Sequence, residues 1–290
     1  MNMMSLIRRR TALSLMVCAV LGACSQQAKD SSGSAPAASA AATSTPAAAT
    51  KLVVGSDMTF PPYEYLDGSE PKGFDIELMN AIAKNMGSEV SYQDTRFTNL
   101  IPGLEGGKFN LLISALYMTP ERMQKVDMIP YFKTDEGVIV KAGSSYQPKG
   151  KADLCGKTIG TQKGTAFVQQ LNTISKETCQ AAGKGAITVR EFETSPQATQ
   201  ALLASAVDAQ YDDAAVLKGA VDKLQGKVAL STTETFFPVV SGIAVKKGDK
   251  ATFDSISAAL QKYKDSGDYA KLLQQYGLKE PTQADVDAIK

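Results

Sequence analysis

The chain has 290 residues, 43% hydrophobic and 21% charged, which is typical of globular proteins and long enough for two domains. The net charge is +1, and lysine and arginine are interspersed with acidic residues, which argues against a nucleic-acid partner. The chain contains no histidine and no CxxC motif, so we predict neither a metal site nor a cofactor.

Residues 1–23 have the pattern of an export signal peptide. The basic segment MNMMSLIRRR precedes the apolar run TALSLMVCAVLGA, which is too short to span a bilayer. The segment ends in LGAC, which resembles the lipobox of bacterial lipoproteins, where the cysteine is lipidated and becomes the new N-terminus. By that resemblance Cys24 carries a lipid anchor, and the alternative is a buried or unpaired thiol.

Residues 24–50 are predicted to form a lipidated, flexible linker. Ala, Ser, Thr and Pro dominate this segment, and it contains no aromatic residue that could help to build a core. With Cys18 in the signal and Cys24 lipidated, Cys155 and Cys179 remain as an even pair in an exported protein. We therefore predict a disulfide between them.

From residue 51 onward, short apolar runs alternate with helical periodicity, which indicates α/β layers. Strands are predicted at KLVVGS, EVSYQ, NLLIS and EGVIVK, with an aromatic loop at DMTFPPYEYLDGSEPKG. A short helix is predicted at TNLIPGLEGG, and a longer one lies between Gly73 and Gly87. The longer helix carries its apolar residues on one face: Leu78, Met79, Ile82 and Met86. These elements form the first predicted lobe.

The stretch ISALYMTPER, residues 113–122, leads from a strand into a new helix. Thr119 is a good N-cap, Pro120 suits the first helical position, and Arg122 is the third helical residue. A positive charge at a helix N-terminus is unfavourable unless the side chain and the free helix N–H groups bind the same anion. The residues leave two interpretations open: a bound carboxylate, or an exposed ion pair with Glu121 or Asp127.

A second set of elements begins near Gly143. Strands are predicted at KTIGTQ, AITVREF, DAQY and KVAL, and helices at GTAFVQQLNTI, SPQATQALLASA and AAVLKGAVDKL, after which a further strand begins at GIAVKK. Ser195 is the expected N-cap of the second of these helices and Pro196 its first residue. Two amphipathic helices close the chain, with these apolar residues: Phe253, Ile256, Leu260, Tyr263, Leu272, Leu273 and Tyr276.

The segment GFDIELMNAIAKNM, Gly73 to Met86, resembles the signature of the family 3 extracellular solute-binding proteins, the periplasmic amino-acid receptors of ABC importers. Five other segments occur in the family's order: GSDMTFPPYEY, ISALYMTPER, GKTIGTQKGT, VDAQYDD and DSGDYAKLLQQYG. The resemblance implies the periplasmic-binding-protein type II fold, with two α/β lobes joined by two crossing strands and a ligand cleft between them. Lobe 1 would comprise residues 51–140 and 240–290, and lobe 2 residues 141–239.

The resemblance implies that Arg122 binds the ligand's carboxylate. A planar guanidinium holds a carboxylate through two parallel hydrogen bonds, which lysine cannot reproduce. The N–H groups of Thr165 and Ala166, at the start of a helix in lobe 2, would bind the same carboxylate. The alternative role for Thr165 is that of a helix cap.

The resemblance also implies an ammonium site. Asp213 stands at the family's ammonium-binding aspartate, and its alternative role is helix capping. Backbone carbonyls at Ser114 or Ala115 would complete the cage. Where relatives usually carry Ser or Thr, this chain has Tyr117, which keeps the N–H but moves the hydroxyl farther out and adds an aromatic wall.

For the ligand's side chain, the family positions are Phe60 and Phe97 as walls and Asp57 at the far end. Aromatic faces accept apolar stems and cations, so Asp57 opposite two aromatics favours a basic or strongly polar side chain such as that of arginine, lysine or histidine. Phe60 could instead be a core residue, and an aspartate near position 57 also occurs in relatives with other ligands.

The function implied by the resemblance is amino-acid capture in the cell envelope and delivery to an ABC permease of the inner membrane. The predicted protein is a periplasmic, membrane-anchored monomer and not an enzyme. Two alternatives are a ligand-binding sensor lipoprotein and a dehydratase-like enzyme on the same fold.

Overall fold

The computed structural model describes residues 51–232, 236–237 and 239–289. The predicted signal peptide, the lipidation site at Cys24 and the linker lie outside these residues. No helix in the described ranges combines the length and the apolar character needed to cross a bilayer.

The described ranges contain the following strands: β1 (Lys51–Ser56), β2 (Thr59–Phe60), β3 (Glu64–Asp67), β4 (Glu70–Lys72), β5 (Glu89–Asp94), β6 (Leu111–Leu112), β7 (Val126–Thr134), β8 (Glu136–Lys141), β9 (Thr158–Gln162), β10 (Thr188–Phe192), β11 (Ala209–Asp213), β12 (Val228–Leu230) and β13 (Val239–Lys246). The α-helices are α1 (Phe74–Met86), α2 (Leu100–Glu105), α3 (Pro120–Lys125), α4 (Ala166–Ile174), α5 (Ser195–Leu203), α6 (Ala214–Leu224), α7 (Lys250–Asp265), α8 (Asp268–Tyr276) and α9 (Gln283–Asp287).

Two five-stranded sheets organise the described chain. The first has the order β5-β1-β6-β13-β7 and the second the order β10-β9-β11-β8-β12, while β2, β3 and β4 form a small sheet of their own. In the first sheet β1 is parallel to β5 and β6. In the second, β9 is parallel to β10 and β11. Loops at the carboxyl ends of such parallel strands are the usual place for a ligand site in open α/β sheets.

The chain passes between the sheets at Asp135, because β7 pairs in the first sheet and β8 in the second. The segment EGVIVK, which the sequence analysis placed in the first lobe, therefore lies in the second sheet. This strand pairs with β11 and β12, and helices α5 and α6 pack against it, so its first five residues are buried. The apolar pattern predicted the strand but not its sheet, because periodicity does not identify a pairing partner.

The predicted helical faces are buried as expected. Leu78, Met79 and Ile82 of α1 are fully buried. Helices α7 and α8 both contact α1, and they bury Ile256, Leu260, Leu272 and Leu273 there, with the other predicted apolar residues packed around them. Gly87 ends α1 at φ 64°, a left-handed conformation that glycine adopts without a Cβ penalty.

The start of α5 and the length of β6 differ from the prediction, whereas the predicted disulfide is present. The N-cap of α5 is Thr194, whose hydroxyl accepts from the N–H of Gln197 at 3.3 Å, so the predicted cap at Ser195 is one residue too late. The predicted strand NLLIS is shortened to β6, because Ala115 at φ 41° directs the chain away from the sheet. The predicted disulfide between Cys155 and Cys179 is confirmed.

Candidate functional site

Arg122 lies between the two sheets. It is the third residue of α3, and the hydroxyl of its predicted N-cap, Thr119, accepts from the Arg122 N–H at 3.3 Å. The residue is only 9% exposed, and burial lowers the pKa of Arg122 to about 10, so the guanidinium stays charged near neutral pH.

The guanidinium is held by carbonyl groups from both sides of the cleft. Its Nη1 donates to the carbonyl of Tyr117 at 2.7 Å, and its Nη2 donates to the carbonyl of Gly164 at 3.1 Å. The guanidinium carbon lies over the ring of Phe97, 5.3 Å from the ring centroid. No carboxylate in the described part of the chain forms an ion pair with Arg122. A buried charge without a counter-ion is unfavourable, and an anionic ligand would relieve that cost. The predicted alternative, an exposed pair with Glu121 or Asp127, is therefore wrong.

Two cavities meet at Arg122. The inner one encloses about 10 Å³, on the scale of one water molecule. The outer one has a volume of about 420 Å³, within the usual range for small-ligand sites. Both cavities are lined by the following predicted site residues: Phe97, Arg122, Thr165 and Ala166. The inner cavity also has these walls: Phe60, Ala115 and Tyr117.

The start of α4 faces both cavities. The hydroxyl of Thr165 donates to the carbonyl of Gln162 at 2.6 Å and does not cap the helix. The first N–H groups of α4 are thus left without a side-chain acceptor from Thr165, and they lie on the same cavity walls as Arg122. An anion there would meet donors from both sheets.

Asp213 ends β11 and caps α6. Its Oδ1 accepts from the N–H groups of Ala215 at 2.9 Å and Val216 at 3.3 Å. Two phenol hydroxyls also donate to its carboxylate, that of Tyr63 to Oδ1 at 2.9 Å and that of Tyr117 to Oδ2 at 2.7 Å. Burial raises the pKa of Asp213, and the hydrogen bonds from the two tyrosines oppose that effect. The helix-cap role is thus present, and the ammonium-binding role stays a prediction.

Asp57 follows β1 and already has four partners. Oδ1 lies 2.9 Å from Nη1 of Arg96 and accepts from the hydroxyl of Thr59. Oδ2 accepts from the N–H of Phe97 at 3.0 Å and from Nε2 of Gln162 at 3.1 Å. Because Gln162 belongs to β9, this last bond crosses the cleft. Burial raises the pKa of Asp57, and the bond from Thr59 and the charge of Arg96 oppose it.

Two buried carboxyl groups, those of Glu64 and Asp75, support the loop after β6. The hydroxyl of Ser114 accepts from the N–H of Asp57 at 3.0 Å and donates to Glu64 at 2.7 Å. The N–H of Ala115 donates to Asp75 at 2.7 Å. Burial, followed by the charge of the neighbouring Asp75, raises the pKa of Glu64 well above its usual range. This pair holds the strained conformation at Ala115, which borders the inner cavity.

The structure therefore brings most of the predicted site residues together. Phe60, Phe97, Ala115, Tyr117, Arg122, Thr165 and Ala166 line one cavity. Asp57, Ser114 and Asp213 lie behind its walls and hold them through hydrogen bonds. Sequence reasoning missed Tyr63, Arg96 and Gln162. The only signal for Tyr63 is its position after two prolines in the aromatic loop, and nothing local marks Arg96 or Gln162 as partners of Asp57.

A cleft between two sheets, in which a buried arginine forms no ion pair with a described carboxylate, is typical of a binding protein for a small anionic or zwitterionic molecule. The sequence profile of the bacterial extracellular solute-binding proteins, family 3, matches residues 52–279. The chain is 31% identical over 290 residues to a probable histidine-binding protein of Neisseria gonorrhoeae, covering 98% of this chain and 99% of that protein.

Solved structures agree with this assignment. An ancestral arginine-binding protein bound to arginine has a TM-score of 0.71 and 34% identity, covering 78% of this chain and 97% of that one. An ancestral arginine-binding protein bound to glutamine gives a TM-score of 0.70 at 34% identity, covering 78% of this chain and 97% of that one. The chain therefore belongs to family 3 of the bacterial extracellular solute-binding proteins. The predicted periplasmic-binding-protein type II fold is confirmed, and the family's description places its members outside the cytoplasm.

Proposed function

We propose that the chain captures an amino acid between its two sheets and delivers it to an ABC transporter permease. In this proposal Arg122 and the first N–H groups of α4 bind the α-carboxylate, and Asp213 binds the α-ammonium with the carbonyls of Ser114 and Ala115. The relatives reported above are binding proteins by name, and we propose that this chain also binds its ligand without turnover.

The single observation that carries this proposal is the setting of Arg122. Its guanidinium is buried, is held by one carbonyl from each side of the cleft and forms no ion pair with a described carboxylate. A ligand carboxylate would supply the missing charge, and it would do so only while both sides of the cleft are close together. Ligand binding would then favour the closed arrangement of the two sheets, which a permease can distinguish from an open one.

We propose a basic or polar amino acid as the ligand. Arginine, lysine and histidine are the first candidates, and glutamine is added because a structural relative was solved with it. Phe97 and Phe60 offer aromatic faces to the ligand's side chain. Because Arg96 already compensates the charge of Asp57, we propose that polar contacts contribute to the selection of the side chain as well as charge.

We further propose that the sheets mark the two lobes, with the crossings at Asp135 and just before β13. The first crossing lies a few residues before the predicted boundary at residue 140. We also propose that the protein is a monomer anchored in the cell envelope by a lipid on Cys24. Incorporation of labelled palmitate, and its loss in Cys24→Ala, tests the anchor.

A thermal-shift screen of the purified protein against all protein amino acids tests the binding function. A ligand at 100 times its dissociation constant adds about 2.7 kcal/mol of stability, which is an easily measured shift. We expect arginine, lysine, histidine or glutamine to raise the melting temperature. If no amino acid does so at millimolar concentration, the proposed function is wrong.

A further inference from the structure

Two tyrosines connect the first-sheet side of the cleft to Asp213 on the other side. Tyr63 lies between β2 and β3, and its ring stacks on Phe132 of β7 at a centroid distance of 5.0 Å. Tyr117 follows β6 and pairs through its backbone with Ser241 of β13. Asp213 is the last residue of β11 in the second sheet. The two hydroxyl contacts to Asp213 therefore hold the sheets together across the cleft.

These hydroxyls take up most of the acceptor capacity that the helix cap leaves on Asp213. An ionised carboxylate offers about four lone-pair positions. Oδ1 accepts from two N–H groups of α6 and from the Tyr63 hydroxyl, and Oδ2 accepts from the Tyr117 hydroxyl. All three side chains are buried. An ammonium group, as a fifth donor, would have to crowd the Tyr117 hydroxyl at Oδ2 or replace one of the two hydroxyls.

Asp213 lies near other carboxyl groups, so hydrogen bonds from neutral hydroxyl groups stabilise its negative charge. The charge of Asp213 raises the pKa values of two neighbouring carboxyl groups, those of Asp212, which precedes it, and Glu136 of β8. No lysine or arginine among the described residues forms an ion pair with Asp213. Burial also raises the pKa of both tyrosines, so both hydroxyls carry a proton to donate near neutral pH.

Tyr117 also occupies the space next to the carboxylate. Its ring meets the ring of Phe167 edge-on at 5.4 Å, and both rings border the 10 Å³ inner cavity. An ammonium group can reach Asp213 from this side only after the Tyr117 hydroxyl has moved. The ring itself can stay in place, so a phenylalanine would keep the wall and remove the competing donor.

We propose that Tyr117 and Tyr63 set the ligand affinity by competing with the ligand's ammonium for Asp213 and by latching the two sheets together without an amino acid. This inference rests on the proposed ammonium role of Asp213. It predicts that part of the binding free energy is spent on breaking the latch, so the hydroxyls lower the apparent affinity. Tyr117 and Tyr63 would then be specificity-determining residues, because a ligand without an ammonium group leaves the latch intact.

Titration calorimetry of the purified protein with arginine, lysine, histidine and glutamine tests the proposal. We expect Tyr117→Phe to bind about tenfold more tightly than the unmodified protein, and Tyr63→Phe to shift affinity in the same direction. Tyr92→Phe is the matched control, because that hydroxyl bonds to Ile76 and Asn80, away from Asp213. Its affinity should stay within twofold of the unmodified protein. Small-angle X-ray scattering should show a larger radius of gyration for the Tyr63→Phe, Tyr117→Phe double variant without ligand.

The outcomes separate this inference from the proposed function. If Tyr117→Phe and Tyr63→Phe bind an amino acid equally or more weakly, while Asp213→Asn loses binding, the tyrosines do not compete with the ligand and only the latch is rejected. If neither the unmodified protein nor any Tyr→Phe variant binds an amino acid, both the proposed function and the latch are rejected. Tighter binding by both single variants, with the control unchanged, supports the latch.

Discussion

Asp57 is neutralised from within the chain by Arg96, whose Nη1 lies 2.9 Å from Asp57 Oδ1. The sequence suggested Asp57 as the partner of a basic ligand side chain, yet both of its oxygens are engaged by residues of the chain. Arg96 is the one charged group among these partners. The negative charge that Asp57 presents to a ligand therefore depends on whether Arg96 stays paired with it.

Replacing Arg96 tests the role of Asp57 in selecting the side chain. In Arg96→Met the carboxylate loses its internal counter-charge, so a ligand cation gains attraction that a neutral ligand does not. We expect the ratio of arginine to glutamine affinity to rise about tenfold, or about 1.4 kcal/mol, in titration calorimetry. Asp94→Asn is the control, because it removes Arg96's other partner and leaves the pair with Asp57. An unchanged ratio in Arg96→Met would show that Asp57 does not face the ligand.

Gly164 is predicted to be essential for closure of the cleft. It adopts φ +74°, its carbonyl accepts from Arg122, and an added Cβ would lie 2.8 Å from Thr98 Cγ2 on the opposite side. We expect Gly164→Ala to weaken amino-acid binding at least tenfold, since the methyl group would push the two sides apart. Gly143→Ala is a matched control with the same φ and, among the described residues, no atom within 4 Å of the added Cβ. Each variant should lose about 1 kcal/mol of stability, but Gly143→Ala should bind normally. Equal affinity in the two variants would contradict the prediction.

The disulfide is predicted to stabilise the fold without contributing to binding. Cys155 and Cys179 close a loop with a sequence separation of 24 residues, and neither cysteine lines either cavity. A cross-link of this loop length contributes about 3 kcal/mol in the chain-entropy description. We expect the double variant Cys155→Ala, Cys179→Ala to melt at a lower temperature and to retain the dissociation constant of the unmodified protein. A large loss of affinity at a temperature where the variant is folded would show that the cross-link also shapes the site.

Stability is predicted to fall as pH rises through neutrality. Burial raises the pKa of Glu136 from its ordinary value of 4.5 to about 8. Between these two values the folded chain keeps a proton that the unfolded chain releases, so rising pH favours unfolding. Asp75 and Asp212, with pKa values raised to about 7 by burial, act in the same direction.

Urea unfolding between about pH 5 and about pH 8 measures this dependence. We expect the free energy of unfolding to decrease across that window and the decrease to be smaller in Glu136→Gln. The exposed Glu177→Gln should follow the unmodified protein. A free energy of unfolding that is constant or rises with pH would mean that these carboxyl groups titrate normally in the folded chain.

Much of the fold was readable from local patterns. Helix α1 begins and ends where Gly73 and Gly87 predicted, and Thr119 and Pro120 start α3 so that Arg122 is its third residue. These features depend on residues that are close in sequence, where capping and periodicity act. The sheet membership of β8 was missed, because its partner strands β11 and β12 lie about 70 and 90 residues later and leave no trace in the local pattern.

The candidate site could be predicted from the sequence only in part, because many of its contacts join residues that are far apart in the chain. Arg122 could be singled out because a cation at the start of a helix needs an explanation. That it forms no ion pair with a carboxylate of the described residues is a property of the folded chain. The pair of Asp57 with Arg96 and the bond of Tyr63 to Asp213, 150 residues away, join segments distant in sequence, so neither could be inferred from spacing.

The most direct test of the whole account is titration calorimetry of Arg122→Ala with the best ligand of the thermal-shift screen. Arg190→Ala is a close control, because Arg190 also donates to a backbone carbonyl and lies over an aromatic ring, but it is exposed on the second sheet. We predict that Arg122→Ala loses at least a hundredfold in affinity, about 3 kcal/mol, that Arg122→Lys recovers little of it, and that Arg190→Ala binds normally. Binding by Arg122→Ala within twofold of the unmodified protein would show that Arg122 does not hold the ligand's carboxylate and would contradict the account.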